Sequence, residues 1–260
     1  MKILFFFTIM LFLSKAQAFT LNNNASAAFE NNEVSINVDS NGCASLSVTA
    51  EEMLGYAEAA VEKFWNSVPT SRLKLKRGTL VNAASAFRTD LICQTGTNCT
   101  PNPALAVESN ILIACNNNAT NFSNTASVLG VTVPNNISGR NIVGALILIN
   151  DNGSNTFESR SYDEKVAIVS HEIGHAIGLG HSPVDDSLMY YQSVATRFKL
   201  GWDDIDGLTY LYPTEQPFSG CGSIATENQG ENLFILFTGF LFMLLVGDLT
   251  KKYLGRKKSF

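Results

Sequence analysis

The sequence has little histidine and no excess of positive charge. Only 3 of its 260 residues are histidines, and they all lie between positions 171 and 181. Its 18 Lys and Arg residues are outnumbered by 23 Asp and Glu residues, which gives a formal net charge of −5. A chain with this balance lacks the basic field that would hold nucleic acid phosphates. We therefore exclude nucleic acid as a partner.

The apolar segment at the N-terminus is too short to cross a membrane. Lys2 precedes a mostly apolar run from Ile3 to Leu13, whereas a membrane-spanning helix needs about 20 apolar residues. Small residues at Ala16 and Ala18 follow, as at the cleavage site of a secretory signal peptide. We therefore predict a signal peptide at residues 1–18 and export of the remaining chain.

The C-terminal part of the chain shows three changes of composition. A polar linker at residues 217–232 leads to an apolar segment at residues 233–249, and a basic tail follows at residues 250–260. Basic residues after an apolar segment are typical of the cytoplasmic side of a transmembrane anchor. Two interpretations stay open: a retained transmembrane helix, or a sorting signal that is cut near Cys221. Both place the folded domain outside the cell, at the surface or released.

Five cysteines in an exported chain predict disulfides. Four of them lie in the body of the chain and allow three pairings, which the sequence does not distinguish. The pair Cys93 and Cys99 would close the shortest loop. Cys221, before the apolar segment, has no assigned partner. The body cysteines are Cys43, Cys93, Cys99 and Cys115.

Apolar periodicity predicts an α/β chain with a long helix after its first strand. Val34, Ile36 and Val38 alternate with polar residues, as in a half-buried strand. Thr49 and Glu52 form a capping box, and apolar residues follow at helical spacing. Further strands are predicted in the segments RLKLKRG, ALAVES, ILIAC and IVGALILIND.

Two further helices are predicted in the second half of the chain. A capping box of Ser161 and Glu164 begins a helix that carries the first two histidines. A short helix in WDDIDGLTYLY has acidic residues in its first turn, which suits the helix dipole. Residues 19–216 are therefore expected to form one folded domain.

The three histidines have the spacing of a catalytic zinc site. On a helix, His171 and His175 project from the same face, four residues apart. Gly178 can end the helix and turn the chain, because glycine tolerates the left-handed conformation, so that His181 reaches the same ion. Three protein ligands leave the fourth position of zinc open for water. Glu172, beside the first ligand, is placed to act as the general base.

The segment HEIGHAIGLGHS resembles the HExxHxxGxxH motif of the metzincin metalloproteases, and Ser182 after it is similar to the matrixin branch. Met189 lies eight residues after His181, as does the methionine of the matrixin Met-turn, and DDIDGLTYLY resembles the matrixin closing helix. The resemblance implies an α+β fold with a twisted, mostly parallel sheet, an active-site helix and a C-terminal helix. It also implies one catalytic zinc ion, Met189 and Gly178 as structural support, and hydrolysis of peptide bonds in extracellular proteins.

The sequence departs from the vertebrate matrixins in three ways. All histidines are used at the catalytic motif, so their histidine-dependent structural zinc site cannot be present. The PRCG-type cysteine switch is absent, and Cys43 is better explained by a structural disulfide. Tyr191 occupies the place of a proline, as in the astacin and serralysin branches, where this tyrosine binds zinc or stabilises the oxyanion. We give Tyr191 the same role as a hypothesis, beside a plain packing role.

Two other expectations complete the sequence-based interpretation. Calcium is common in the family, and the segment NDNGSN or the cluster Asp203–Asp206 could supply ligands, although acidic residues also serve as ordinary turn and cap residues. The competing function is a zinc-binding surface or adhesion module without hydrolysis. Glu172 counts against that module, because holding a metal does not require this carboxylate.

Overall fold

The fold is built around a five-stranded sheet with the strand order β2-β1-β5-β7-β6. The structure is a computed structural model that describes residues 19–94, 99–153, 155–192 and 196–214. The chain divides after Thr214, and all described residues belong to the first unit. The sheet strands are β1 (Glu33–Asp39), β2 (Lys74–Val81), β5 (Asn110–Asn116), β6 (Gly130–Ser138) and β7 (Asn141–Asn150), and β3 (Cys93–Gln94) and β4 (Thr100–Pro101) form a separate short pair.

Three of the four pairings in the large sheet are parallel. Strand β1 pairs in parallel with β2 and β5, and β5 pairs in parallel with β7. Strand β6 runs antiparallel to β7 and forms one edge of the sheet. The prediction of a mostly parallel sheet is therefore confirmed. Strands β5 and β7 are buried over most of their length, which explains why their sequences are nearly continuous apolar runs.

The described helices are α1 (Ala50–Lys63), α2 (Ala86–Thr89), α3 (Tyr162–Ala176) and α4 (Trp202–Leu211). Both predicted capping boxes are present. The Thr49 hydroxyl accepts from the Glu52 N–H at 3.2 Å at the start of α1, and Ser161 and Glu164 do the same at the start of α3. Helices α1 and α3 pack against each other, with Met53, Ala57 and other apolar residues of α1 buried.

Strand assignments differ between sequence and structure in three places, one of which is the short β3–β4 pair, which no apolar run predicts. The segment ALAVES is not a strand: Pro103–Leu105 forms a 3-10 turn, and the Asn102 side chain caps it by accepting from the Ala104 N–H at 3.0 Å. Strand β6 is not evident in the sequence, because Gly130 and Pro134 interrupt its apolar pattern. Proline is tolerated there because β6 is an edge strand.

The structure selects one of the three possible cysteine pairings. Cys43 is joined to Cys115 with a Cα–Cα distance of 5.1 Å, and Cys93 is joined to Cys99 with a Cα–Cα distance of 5.0 Å. Cys43 and Cys115 are buried in the core. The first disulfide ties the turn after β1 to the end of β5, so Cys43 has the structural role expected for it.

Several predictions concern residues outside the described part of the chain. These are the signal peptide at 1–18, the linker at 217–232, the anchor or sorting signal at 233–249 and the basic tail at 250–260. Among the residues that the structure does describe, none of the helices has the length and apolar character of a membrane span. The anchor therefore stays a prediction.

Candidate active site

Helix α3 carries the first two histidines on its buried C-terminal half. His171 is buried, with only 4% of its surface exposed, and His175 is half-buried. The helix ends at Ala176, and Gly178 follows with φ at +109°, in the left-handed region. A side chain at Gly178 would also approach the Ala27 carbonyl oxygen to 2.9 Å. The chain thus turns where glycine is needed, and the turn brings His181 back towards α3.

The three imidazoles converge on one point. One ligand nitrogen from each of His171, His175 and His181 lies within 4.8 Å of the other two. The Nε2 atoms of His175 and His181 are 3.2 Å apart. This spacing allows all three nitrogens to bind a single ion, because zinc–nitrogen bonds are about 2.0–2.1 Å long.

Backbone carbonyls fix the tautomers of the two helical histidines. The His171 Nδ1–H donates to the Leu188 carbonyl at 2.8 Å, and the His175 Nδ1–H donates to the Leu179 carbonyl at 2.8 Å. Because a carbonyl can only accept, each Nδ1 carries the proton and each Nε2 keeps its lone pair. Burial lowers the pKa of His171 well below its usual range and that of His175 to about 4. Both rings are therefore neutral and able to bind zinc at neutral pH.

The turn that contains Met189 lies directly under the metal-binding helix. A Cβ atom added at Gly174 in α3 would come within 2.3 Å of the Met189 sulfur, so the helix and the methionine are in close contact. The neighbouring Leu188 supplies the carbonyl that accepts from His171. The turn thus supports the site both by packing and by a hydrogen bond to a metal ligand.

Glu172 lies beside the triad and is held by strand β6. The Thr132 hydroxyl donates to its Oε2 at 2.5 Å. Gly130 leaves room for the carboxyl group, since a Cβ there would lie 2.8 Å from Oε1. Burial raises the pKa of Glu172 to about 7, and the hydrogen bond from Thr132 opposes that rise. The site therefore combines two neutral imidazoles and His181, whose pKa burial also lowers, with one buried carboxyl group.

Comparison with known proteins agrees with this geometry. The sequence profile of the matrixin family matches residues 15–213, which is most of the chain. The chain belongs to the matrixin family. Its His171, His175 and His181 are the zinc-binding triad of a matrixin, so the zinc expected from the sequence is confirmed as the cofactor.

Matches to individual matrixins are shorter than the family match. The chain is 44% identical over 62 residues to metalloendoproteinase 2-MMP of Arabidopsis thaliana, covering 23% of this chain and 16% of the relative. It is 38% identical over 73 residues to the hatching enzyme of Paracentrotus lividus, a match that covers 27% of this chain and 12% of the relative. It is 46% identical over 56 residues to stromelysin-1 of Rattus norvegicus, a match that covers 19% of this chain and 12% of the relative. Each match therefore spans less than a fifth of the relative's length.

Residues 19–23, which we call the N-terminal strap, fasten the loop that follows α3 in this matrixin. The Thr20 hydroxyl donates to the His181 carbonyl at 2.6 Å, and the Asn22 side-chain amide donates to the His175 carbonyl at 2.5 Å. Leu21 forms a bridge with Leu179. The strap carries no recognisable motif, so its contact with the metal site could not be predicted from the sequence.

A cavity of about 410 Å³ opens beside the triad. Tyr191 lines it together with two of the histidines and Glu172, and its side chain is 54% exposed. The structure thus brings Tyr191 to the site. The remaining wall comes from the segment before and at the start of β6 and from residues near α3. The lining residues are Ser127, Val128, Leu129, Gly130, Arg160, Ile168, His171, Glu172, His181, Tyr191 and Thr196.

The two candidate calcium regions have structural partners for their buried carboxylates. Asp151, in the NDNGSN segment, accepts from the Ser45 N–H at 2.9 Å. Asp204, in the acidic cluster, accepts from the Leu188 N–H at 2.6 Å and the Gly201 N–H at 2.7 Å. Within the described ranges, the histidine triad alone brings three His, Cys, Asp or Glu ligands together. Calcium binding stays a prediction.

Asp204 connects the closing helix α4 to the Met-turn. Besides the two N–H groups just named, its carboxylate accepts from the Met189 N–H at 3.1 Å and from the Ser187 hydroxyl at 2.5 Å. Its side chain is buried, and burial raises its pKa. Removing this carboxylate would leave several buried donors without an acceptor, each at a cost of about 1–3 kcal/mol.

We therefore expect Asp204→Ala to lower the free energy of unfolding by at least about 3 kcal/mol, since several such donors lose their partner. The measurement is urea unfolding of the zinc-loaded protein. Asp206→Ala is the matched control, because Asp206 lies on the same helix with an exposed side chain, and its effect should stay within about 0.5 kcal/mol. Equal stability of the two variants would contradict the role of Asp204.

Proposed function

We propose that this matrixin is an exported, zinc-dependent endopeptidase that hydrolyses peptide bonds of extracellular proteins. One observation carries the proposal: three imidazole nitrogens converge on a point at the wall of an open cavity, with the Glu172 carboxyl group beside them. A purely structural zinc site is closed by four protein ligands, whereas this triad leaves a position open.

The chain's own residues supply the proton transfers of the hydrolysis. When bound by the triad, zinc lowers the pKa of water and polarises the substrate carbonyl. Glu172 accepts a proton from the attacking water as the water oxygen bonds to the carbonyl carbon. Glu172 then gives that proton to the amide nitrogen as the carbon–nitrogen bond breaks. The products are a new carboxyl terminus and a new amino terminus, and Glu172 returns to its starting state.

An extended peptide is the form of substrate that the fold favours. Strand β6 is the edge of the sheet, and the segment that enters it, Ser127 to Gly130, lines the cavity. Edge strands bind extended peptides by main-chain hydrogen bonds, while alternate side chains enter pockets. A protein substrate bound along this edge would place a peptide bond near Glu172.

Export is supported by two disulfides, which form and persist in oxidising compartments. The signal peptide predicted at residues 1–18 would direct the catalytic domain at 19–216 out of the cell. The segment at 233–249 would then hold that domain at the surface as a transmembrane anchor, or serve as a sorting signal that is cut near Cys221. Intact mass of the mature protein distinguishes these two fates of the tail.

Replacing Glu172 tests the hydrolase directly. Wild type should cleave members of a broad peptide library, and Glu172→Gln should reduce kcat/KM by at least about a hundredfold because the general base is lost. Zinc content should stay at one ion per chain in both. Glu158→Gln, at an exposed position, should behave as wild type. Zinc in all three proteins with cleavage by none would favour the non-hydrolytic zinc-binding module instead.

Tyr191 is our proposal for a residue that stabilises the transition state. Its side chain lines the cavity beside Glu172 and two zinc ligands, and a phenol hydroxyl can donate to the negative charge that develops on the carbonyl oxygen. Tyr191→Phe should lower kcat by at least about tenfold with zinc content unchanged. Tyr162→Phe, an exposed tyrosine on α3, is the control. An unchanged kcat in Tyr191→Phe would leave Tyr191 with a packing role only.

A further inference from the structure

Strand β6 contacts the carboxyl group of Glu172 with two residues of the same face. Residues two apart on a strand point to the same side, and here they are Gly130 and Thr132. The Thr132 hydroxyl donates to Glu172 Oε2 at 2.5 Å. At Gly130 the backbone itself approaches, since a Cβ there would lie 2.8 Å from both Cδ and Oε1. Strand β6 therefore lies against the carboxyl group, with its hydrogen bond at Oε2 and only the backbone of Gly130, which has no side chain, near Oε1.

This contact differs in kind from the other hydrogen bonds of the site. The backbone carbonyls of Leu188 and Leu179 orient the metal ligands, and Asp204 orients the Met-turn. Among the hydrogen bonds of the described residues, the bond from Thr132 is the only one in which a side chain donates to the Glu172 carboxyl group. A hydroxyl donor to a carboxylate forms a short and directional bond. It therefore selects one orientation for a side chain that has several rotatable bonds.

We propose that Thr132 is a positioning residue for proton transfer by Glu172. The proposal rests on the proposed peptidase function. By occupying Oε2, the Thr132 hydroxyl leaves Oε1 as the oxygen that exchanges the proton with water and with the leaving amine. Without the hydroxyl, the carboxyl group loses the one side-chain donor found for it among the described residues, and the reactive orientation becomes only one of several. The effect is on the chemical step and not on substrate binding.

The experiment compares two substitutions at this position in the purified full chain loaded with zinc. Thr132→Val removes the hydroxyl and keeps the branched shape, and Thr132→Ser keeps the hydroxyl. Thr79→Val is the matched control, because Thr79 is exposed on β2, the strand at the other edge of the sheet. For each protein we would measure zinc content, melting temperature, and kcat and KM on one peptide that wild type cleaves.

We expect Thr132→Val to lower kcat by about tenfold to a hundredfold, as for loss of a hydrogen bond to a charged group. KM should stay within about twofold, because a positioning effect is confined to the transition state. Zinc content should not change. Thr132→Ser should have most of the wild-type kcat, and Thr79→Val should have the kcat and KM of wild type. Crystal structures of the zinc-loaded proteins should show the Glu172 carboxyl group displaced in Thr132→Val and not in Thr132→Ser.

Three results would overturn the proposal. The first is a Thr132→Val variant with the kcat of wild type, and the second is a Thr132→Ser variant as impaired as Thr132→Val. The third is a loss of zinc from Thr132→Val, which would show that the strand acts through the metal site. In all three cases wild type still cleaves and the proposed function stands. A wild-type chain that cleaves no peptide would instead overturn the proposed function, and this inference with it.

Discussion

The site depends on two hydrogen bonds from imidazole nitrogens to backbone carbonyls. Each bond places the proton of a zinc ligand on Nδ1, towards Leu188 or Leu179, and so turns Nε2 towards the shared point. Without them, the two rings could rotate or adopt the other tautomer, and the triad would not be ready for an ion. Other parts of the fold hold the Leu188 and Leu179 carbonyls in the positions that these two hydrogen bonds require.

Each carbonyl is held by a different part of the chain. Leu188 lies in the Met-turn, which Asp204 of α4 binds through backbone N–H groups. Leu179 lies in the loop after α3, which the N-terminal strap fastens through its bridge at Leu21. Under the helix, the Trp65 indole donates to the Ser170 carbonyl at 2.9 Å, so helix α3 is tied to the segment after α1 as well. The N-terminal strap, the segment after α1, the Met-turn and α4 are distant in sequence, and all of them contact α3 or the loop after it near the zinc ligands.

The parts that could be predicted from the sequence are those encoded locally. The capping boxes at Thr49 and Ser161, the two histidines four residues apart and the glycine break at Gly178 depend on neighbours within about one or two helical turns. They predict where α1 and α3 begin, where α3 ends, the zinc triad and the adjacent Glu172. The continuous apolar runs gave β5 and β7, because strands buried on both faces need no polar positions.

The parts that could not be predicted depend on contacts between distant residues. The pairing of Cys43 with Cys115 joins residues 72 apart, and no local pattern marks it. Strand β6 was missed because an edge strand tolerates proline and polar residues, and with it Thr132 was missed as a partner of Glu172. Thr132 lies 40 positions before Glu172, so no local pattern connects the two residues until the sheet order is known.

The most direct test of the central claim is a crystal structure of the zinc-loaded protein with diffraction data collected on both sides of the zinc absorption edge. Our account predicts one zinc ion per chain, bound by the Nε2 atoms of His171, His175 and His181 at about 2.0–2.1 Å. The Nδ1 atoms of the first two should still face the Leu188 and Leu179 carbonyls. Zinc bound through Nδ1, zinc bound by fewer than three of these histidines, or no zinc at this position would contradict it.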